Sequence, residues 1–156
     1  MSAPDGYTVD HNRIPLGKGA AVFARAAEAI RRWKMFDLGW LELYWPDIPI
    51  EPGATVAVLV QHYGFWSLNA SRIVYVVSEP DRYGFAYGTL LEHGESGEER
   101  FTVEFRAEDQ SVWYDIYAFS RPRAMARIAY PLARRLQKQF ARDSKNAMRR
   151  VAGGGC

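Results

Sequence analysis

The order in which hydrophobic periods follow one another constrains the fold of this chain more than any single residue does. From Gly19 the apolar residues Val22, Phe23, Ala26, Ala27, Ile30 and Trp33 recur at three and four residues, with Arg25, Glu28, Arg31 and Arg32 between them. That spacing predicts an amphipathic helix of about four turns. The period then drops to two. Trp40 to Trp45, Thr55 to His62, Arg72 to Ser78, Tyr83 to Leu91, Glu99 to Arg106 and Ser111 to Ser120 read as strands. Pro46, Pro49, Pro52-Gly53 and Pro80-Asp81 punctuate them. The segment Gly64 to Ala70, with Phe65, Trp66 and Leu68, is a candidate further strand, and residues 1–18 offer at most one edge strand. After Ser120 the helical period returns. Helix, consecutive strands and a long helix exclude an alternating α/β plan and predict α+β, with a curved antiparallel sheet of about six or seven strands under a C-terminal helix.

The last strand pair can be read face by face. Phe101, Val103 and Phe105 alternate with Thr102, Glu104 and Arg106, so one side is apolar and the other wet. An even-length turn around Glu108-Asp109 puts Val112, Tyr114 and Ile116 on that apolar side and turns Trp113, Asp115 and Tyr117 outward. A three-residue turn reverses the assignment, because a slip of one residue swaps the faces. The even turn is the preferred reading.

In the terminal helix, Met125, Ala129, Leu132, Leu136, Phe140, Ala147 and Val151 form an apolar stripe that misses one beat near Ser144. Arg127, Arg134, Lys138, Arg142, Lys145 and Arg149 form the opposing stripe. Ser120 is the expected cap, Pro122 suits a first turn, and Pro131 inside the pattern predicts a kink near Tyr130.

Composition sets outer bounds. At 156 residues, 48% of them hydrophobic, the chain has material for one core without disulfides or metals. We expect a single domain over 1–152 and a flexible glycine-rich tail over 153–156. The lone cysteine, Cys156, can form no internal disulfide. No apolar run approaches the ~18 residues of a membrane span, and the N-terminus lacks an apolar signal-peptide core, so a cytoplasmic location is expected. Charge is unevenly spread: residues 1–120 carry a net −7 and residues 121–156 a net +9. The basic segment could meet an acidic partner, either nucleic acid or an anionic surface. The plainer reading is a solvated helix face partly paired with the protein's own acidic sheet.

Several spaced motifs carry a family likeness. Gly84-Phe85-Ala86-Tyr87-Gly88-Thr89-Leu90, Gly97-Glu98-Glu99-Arg100-Phe101 and Ala118-Phe119-Ser120-Arg121-Pro122 resemble the signature of the domain-of-unknown-function family nineteen-ninety. Leu16-Gly17-Lys18-Gly19 and Arg72-Ile73-Val74-Tyr75-Val76-Val77 are similar to its other landmarks. The chain departs from the pattern before Gly6, which is short here, and at Leu91-Glu92-His93, which keeps only the histidine of a Pro-Gly-His piece. The resemblance implies a Bet v 1-like (START-like) helix-grip fold and a possible cavity between sheet and C-terminal helix. It implies no particular activity.

Candidate chemistry is sparse. His93, in the charged hairpin Glu92 to Arg100, could serve acid–base work, although a turn marked by Gly94 and Gly97 is more simply solvated. Alternation puts Glu99 on the buried side with Phe101. No HExxH or CxxC spacing exists, so neither a metal nor a cofactor is expected. The high aromatic content, 14%, suits a solid core or a ring-lined cavity. In the second case Tyr75, Tyr87, Phe101, Val103, Tyr114, Ile116 and Tyr130 are the candidate ligand contacts. The leading expectation is a module that binds a small apolar or amphipathic molecule. An enzyme of cyclase or hydrolase type, using His93 or Glu99 as acid–base and Tyr87 or Arg121 to orient substrate, is the alternative. A protein that binds an acidic partner through its basic helix is the third reading.

Overall fold

Seven strands pair into one antiparallel sheet in the order β1-β7-β6-β5-β4-β3-β2. The computed structural model describes residues 5–44, 47–62, 64–89, 95–122 and 130–153. The chain runs β1 (Thr8–Lys18), α1 (Ala20–Arg31), a 3-10 turn (Lys34–Phe36), β2 (Leu41–Tyr44), β3 (Thr55–His62), β4 (Phe65–Glu79), β5 (Arg82–Thr89), β6 (Glu95–Phe105), β7 (Ser111–Pro122) and α2 (Tyr130–Ala152). Strands β2 to β7 are successive neighbours, and β1 closes the far edge against β7. The helix α1 and the 3-10 turn therefore carry the chain from one edge of the sheet to the other. They cross its concave face, and α2 lies beside them there.

The even turn between β6 and β7 is what the structure contains. Phe105 pairs with Val112, Val103 with Tyr114 and Phe101 with Ile116, and all but Phe105 of these six are fully buried. Asp115 does point to the opposite face, but it is only 6% exposed. Basic side chains on that face enclose it: His11 Nε2 lies 2.6 Å and Arg100 Nη2 3.7 Å from its carboxylate oxygens.

Three expectations need correction. Gly64 to Ala70 is not a separate strand but the first half of the fifteen-residue β4. In this half Ser67, Asn69 and Ser71 occupy the concave positions, opposite Val60, Val58 and Val56 of β3. Ser120 and Pro122 do not open the last helix; both belong to β7. Pro131 is the second described residue of α2. Residues 123–129, on which a kink near Tyr130 would have to be judged, lie outside the described residues. Finally, Trp33 is not in the helical stripe. It lies beyond α1, at the start of the 3-10 turn, in a left-handed conformation, φ 56°, with its indole buried against Phe85 at 4.8 Å.

A bulge and two close backbone approaches mark the middle of the sheet. A bulge interrupts the β4–β5 register between Ile73 and Tyr75. At Gly84 an added Cβ would sit 2.0 Å from the Phe101 carbonyl oxygen, and at Gly97 one would sit 2.3 Å from that of Phe119. Only a residue without Cβ permits this approach.

The missing beat of α2 is also explained. Ser144 is fully buried, and its hydroxyl pairs with that of Tyr114 at 2.9 Å, so a polar pair fills the apolar stripe. Past that point the buried side of α2 is Ala147, Met148 and Ala152, whereas Val151 is exposed. Small alanines on both helices let α1 and α2 pack closely, and Arg25 Nε reaches the Ala152 carbonyl at 3.2 Å.

Candidate functional site

Most of the concave face is solid. Trp33, Phe36, Phe85, Phe101 and Phe140 stack edge-on or tilted with neighbouring centroids 4.8–6.0 Å apart. Among the described residues, two clefts lie along α2, one toward the β2–β4 end of the sheet and one toward β1, β7 and β6. The first holds about 400 Å³ between α2 and the β2–β4 end of the sheet. Its walls are Phe36, Trp40, Leu41, Val58 and Val60 from one side and Leu132, Leu136 and Phe140 from the helix. The short side chains Ser67, Asn69 and Ser71 leave room at its floor. Trp40 is held over the cleft by its indole N–H, which donates to Asp143 on α2 at 3.1 Å.

The second cleft, about 520 Å³, lies between α2 and strands β1, β7 and β6. Its character is polar. From the sheet Asp10, Asn12, Glu99 and Ser120 face it, and from the helix Lys138, Arg142 and Lys145. Arg134 binds both oxygens of Asp10, with Nη2 to Oδ1 at 2.9 Å, and holds that carboxyl below its usual range. Lys145 Nζ donates to Asn12 Oδ1 at 3.1 Å. Part of the basic stripe is thus matched by the acidic sheet, while Arg135, Lys138, Arg142, Arg149 and Arg150 remain exposed.

Three residues border both clefts: Tyr87, Glu99 and Gln137. The Tyr87 hydroxyl donates to Glu99 Oε2 at 2.9 Å. Burial pushes the Glu99 carboxyl up to about 7, the Tyr87 hydrogen bond opposes the shift, and the nearby Asp10 charge adds to it. Tyr87 is itself raised well above the ordinary phenol range, by burial first and then by the Glu99 charge. A carboxyl poised near neutrality at a cleft wall can exchange a proton with a bound molecule, or hydrogen-bond it in either protonation state.

The structure sorts the candidates named from the sequence. Tyr87 and Glu99 meet. Tyr87 and Ile116 line clefts, whereas Phe101, Val103 and Tyr114 are completely buried in the packed core and contribute no open wall. Tyr75 is on the opposite face, bonded to Glu98 and Arg100. Arg121 is exposed on that same outer face, opposite Ser96, and does not converge with Glu99. His93 and the side chain of Tyr130 fall outside the described residues. Among the described residues no group of three metal-ligating side chains gathers, and no helix is long and apolar enough to cross a membrane. The residues missed from the sequence are Trp40, Val58, Val60, Leu136, Phe140 and Gln137. Their signal was the small polar run Ser67, Asn69 and Ser71 on a concave face.

The family model described as "Domain of unknown function (DUF1990)" matches residues 1–147. The chain belongs to the DUF1990 family. Two relatives of this DUF1990 chain are UPF0548 proteins. That of Deinococcus radiodurans is 39% identical over 161 residues, covering 96% of the chain and 81% of the relative. That of Dictyostelium discoideum is 37% identical over 159 residues, covering 94% and 74%. Among solved structures, Ara h 8.0201 superimposes with a TM-score of 0.57 at 10% identity, over 92% of this chain and 98% of that one. Norcoclaurine synthase from Thalictrum flavum, in complex with dopamine and hydroxybenzaldehyde, gives 0.55 at 13% identity, over 92% and 88%. The di-domain ARO/CYC StfQ of the steffimycin biosynthetic pathway gives 0.59 at 10% identity, over 94% of this chain and 50% of that one. Likeness at such identities speaks for the fold alone: a Bet v 1-like helix grip, as the DUF1990 motifs imply.

Proposed function

We propose that this DUF1990 domain binds a small hydrophobic or amphipathic molecule between its sheet and its C-terminal helix. The apolar cleft carries the reading. A space of about 400 Å³ walled by Trp40, Val58, Val60, Leu136 and Phe140 is within the range that holds small organic ligands. The fold supports it too, since norcoclaurine synthase, of the same architecture, is seen with two small aromatic molecules bound. Native mass spectrometry of protein purified from cells, before and after organic extraction, provides the test. A co-purifying mass that extraction removes, and that Leu136→Asn prevents from accumulating, is expected. Homogeneous apo-protein that also fails to take up any apolar probe would refute the reading.

One observation favours catalysis in the same space: Glu99, raised to about 7 and bonded to Tyr87, stands where the clefts meet. The corresponding reaction class is proton transfer at an acidic C–H or O–H of the bound molecule. Deuterium exchange at the α-carbon of a bound aryl ketone, followed by NMR, distinguishes catalysis from carriage. Exchange no faster with the wild-type protein than with Glu99→Gln leaves a binding protein only.

A further inference from the structure

Resting on the ligand-binding reading, the charge of the second cleft narrows the chemistry of the ligand. The two clefts share Tyr87, Glu99 and Gln137 as lining, so they adjoin at these three side chains beneath α2. Among the described residues that line the apolar cleft, Glu99 at this shared border is the one with an ionisable carboxyl, and none is basic. In the polar cleft, each acidic group among the described residues is accounted for. Asp10 is neutralised by Arg134, which grips both its oxygens. Glu98 turns its carboxylate to the outer face, toward Tyr75. Glu99 keeps its proton up to about neutrality and is capped by Tyr87. His11 is likewise turned outward, onto Asp115.

The cations are not cancelled in the same way. Arg142 gives its Nε to Asp143 at 2.9 Å. Lys145, however, donates to the neutral amide of Asn12, and Lys138, exposed on the cleft rim, acts only at a distance on an Asp10 carboxylate that Arg134 already binds. The polar cleft therefore holds an excess of positive charge beside an uncharged apolar cleft. Asn12 and Ser120 add neutral polar groups along its sheet wall. A ligand without a head group would leave this second space wet, and a cationic head would meet like charge there.

We propose that the ligand is an anionic amphiphile lying beneath α2 across Gln137, with its apolar body against Trp40, Val58, Leu136 and Phe140 and its anionic head against Lys138 and Lys145. Carboxylates, sulfonates and phosphate esters share the required chemistry.

Two fluorescent probes with the same ring system test this: 8-anilinonaphthalene-1-sulfonate, which is anionic, and N-phenyl-1-naphthylamine, which is neutral. Each is titrated at low salt into the wild-type protein, Lys138→Gln/Lys145→Gln and Leu136→Asn, with circular dichroism confirming that each variant is folded. The wild type should bind the sulfonate about tenfold more tightly than the amine, an advantage that salt erodes. The double lysine variant should lose most of that tenfold preference while holding the neutral dye within about twofold, and Leu136→Asn should weaken both dyes. Should the double variant fail to fold, Lys138→Gln alone, an exposed position, must still reduce the preference. Equal affinity for the two dyes, or a preference that survives loss of both lysines, overturns the anionic head and leaves the cleft standing. Saturation by neither dye overturns the proposal and the binding reading together.

Discussion

Replacing Glu99 by Gln tests the physical state of the site without disturbing its shape. The amide oxygen can still accept from the Tyr87 hydroxyl, but the group can no longer ionise. In the folded protein the carboxyl titrates at about 7 against an ordinary value of 4.5. At about 1.4 kcal/mol per pH unit, the gap corresponds to roughly 3 kcal/mol once both states are ionised. The folded state binds the proton more tightly than the unfolded chain, which fixes the sign. The contribution of Glu99 is whole below pH 4.5, drains away as pH rises from 4.5 to 7, and is gone above 7. Urea unfolding at pH 5 and pH 8 measures the effect, with the difference between variant and wild type as the readout. That difference cancels every other titrating group, including Asp10 and its Arg134 partner. Glu99→Gln should gain stability relative to wild type by about 2 kcal/mol between pH 5 and pH 8. A difference that stays flat across this interval would show that Glu99 ionises in the folded protein as freely as in water, and the account of a desolvated carboxyl at the cleft junction would be wrong.

Gly84→Ala should cost several kcal/mol or abolish folding, because its Cβ would lie 2.0 Å from the Phe101 carbonyl oxygen; Gly88→Ala, with its nearest neighbour at 3.6 Å, should change thermal stability by less than about 1 kcal/mol. Tyr114→Phe should cost about 1–2 kcal/mol by leaving the buried Ser144 hydroxyl without its partner. Adding Ser144→Ala to that variant should recover part of the loss, and a double-mutant cycle by urea unfolding showing strict additivity would refute the pairing. Phe140→Ala should destabilise by about 2–3 kcal/mol, less than for a fully enclosed ring since Phe140 borders the open cleft. The same variant should weaken binding of N-phenyl-1-naphthylamine, and unchanged affinity would place the dye elsewhere.

The architecture was legible in the chain because secondary structure and facing are written in short-range periods. Val22 to Ile30 repeat as a helix, Phe101 to Phe105 and Val112 to Ile116 alternate as a hairpin, and the segment from Leu132 to Ala152 repeats as a helix again. The DUF1990 motifs coincide with backbone constraints that local sequence can record, as at Gly84 and Gly97, where neighbouring strands leave no room for a Cβ. Glu99 was assigned to the concave face by the same alternation, and it is there.

Which concave residues face open space was decided by the tertiary structure. Phe101, Val103 and Tyr114 carry the same periodic signal as Tyr87, yet the first three are sealed beneath helices and Tyr87 borders both clefts. A period tells which side of a strand is apolar; it does not tell how far the opposing layer reaches across it. That reach depends on how the chain turns at Trp33 after α1, on the side chains that α2 aims at the sheet, and on Ser67, Asn69 and Ser71 being too short to fill the gap beneath it. The pairing of Arg134 with Asp10, 124 residues apart in the chain, arises in the same way. It is set by the packing of a helix on the first strand, a distance no local pattern encodes.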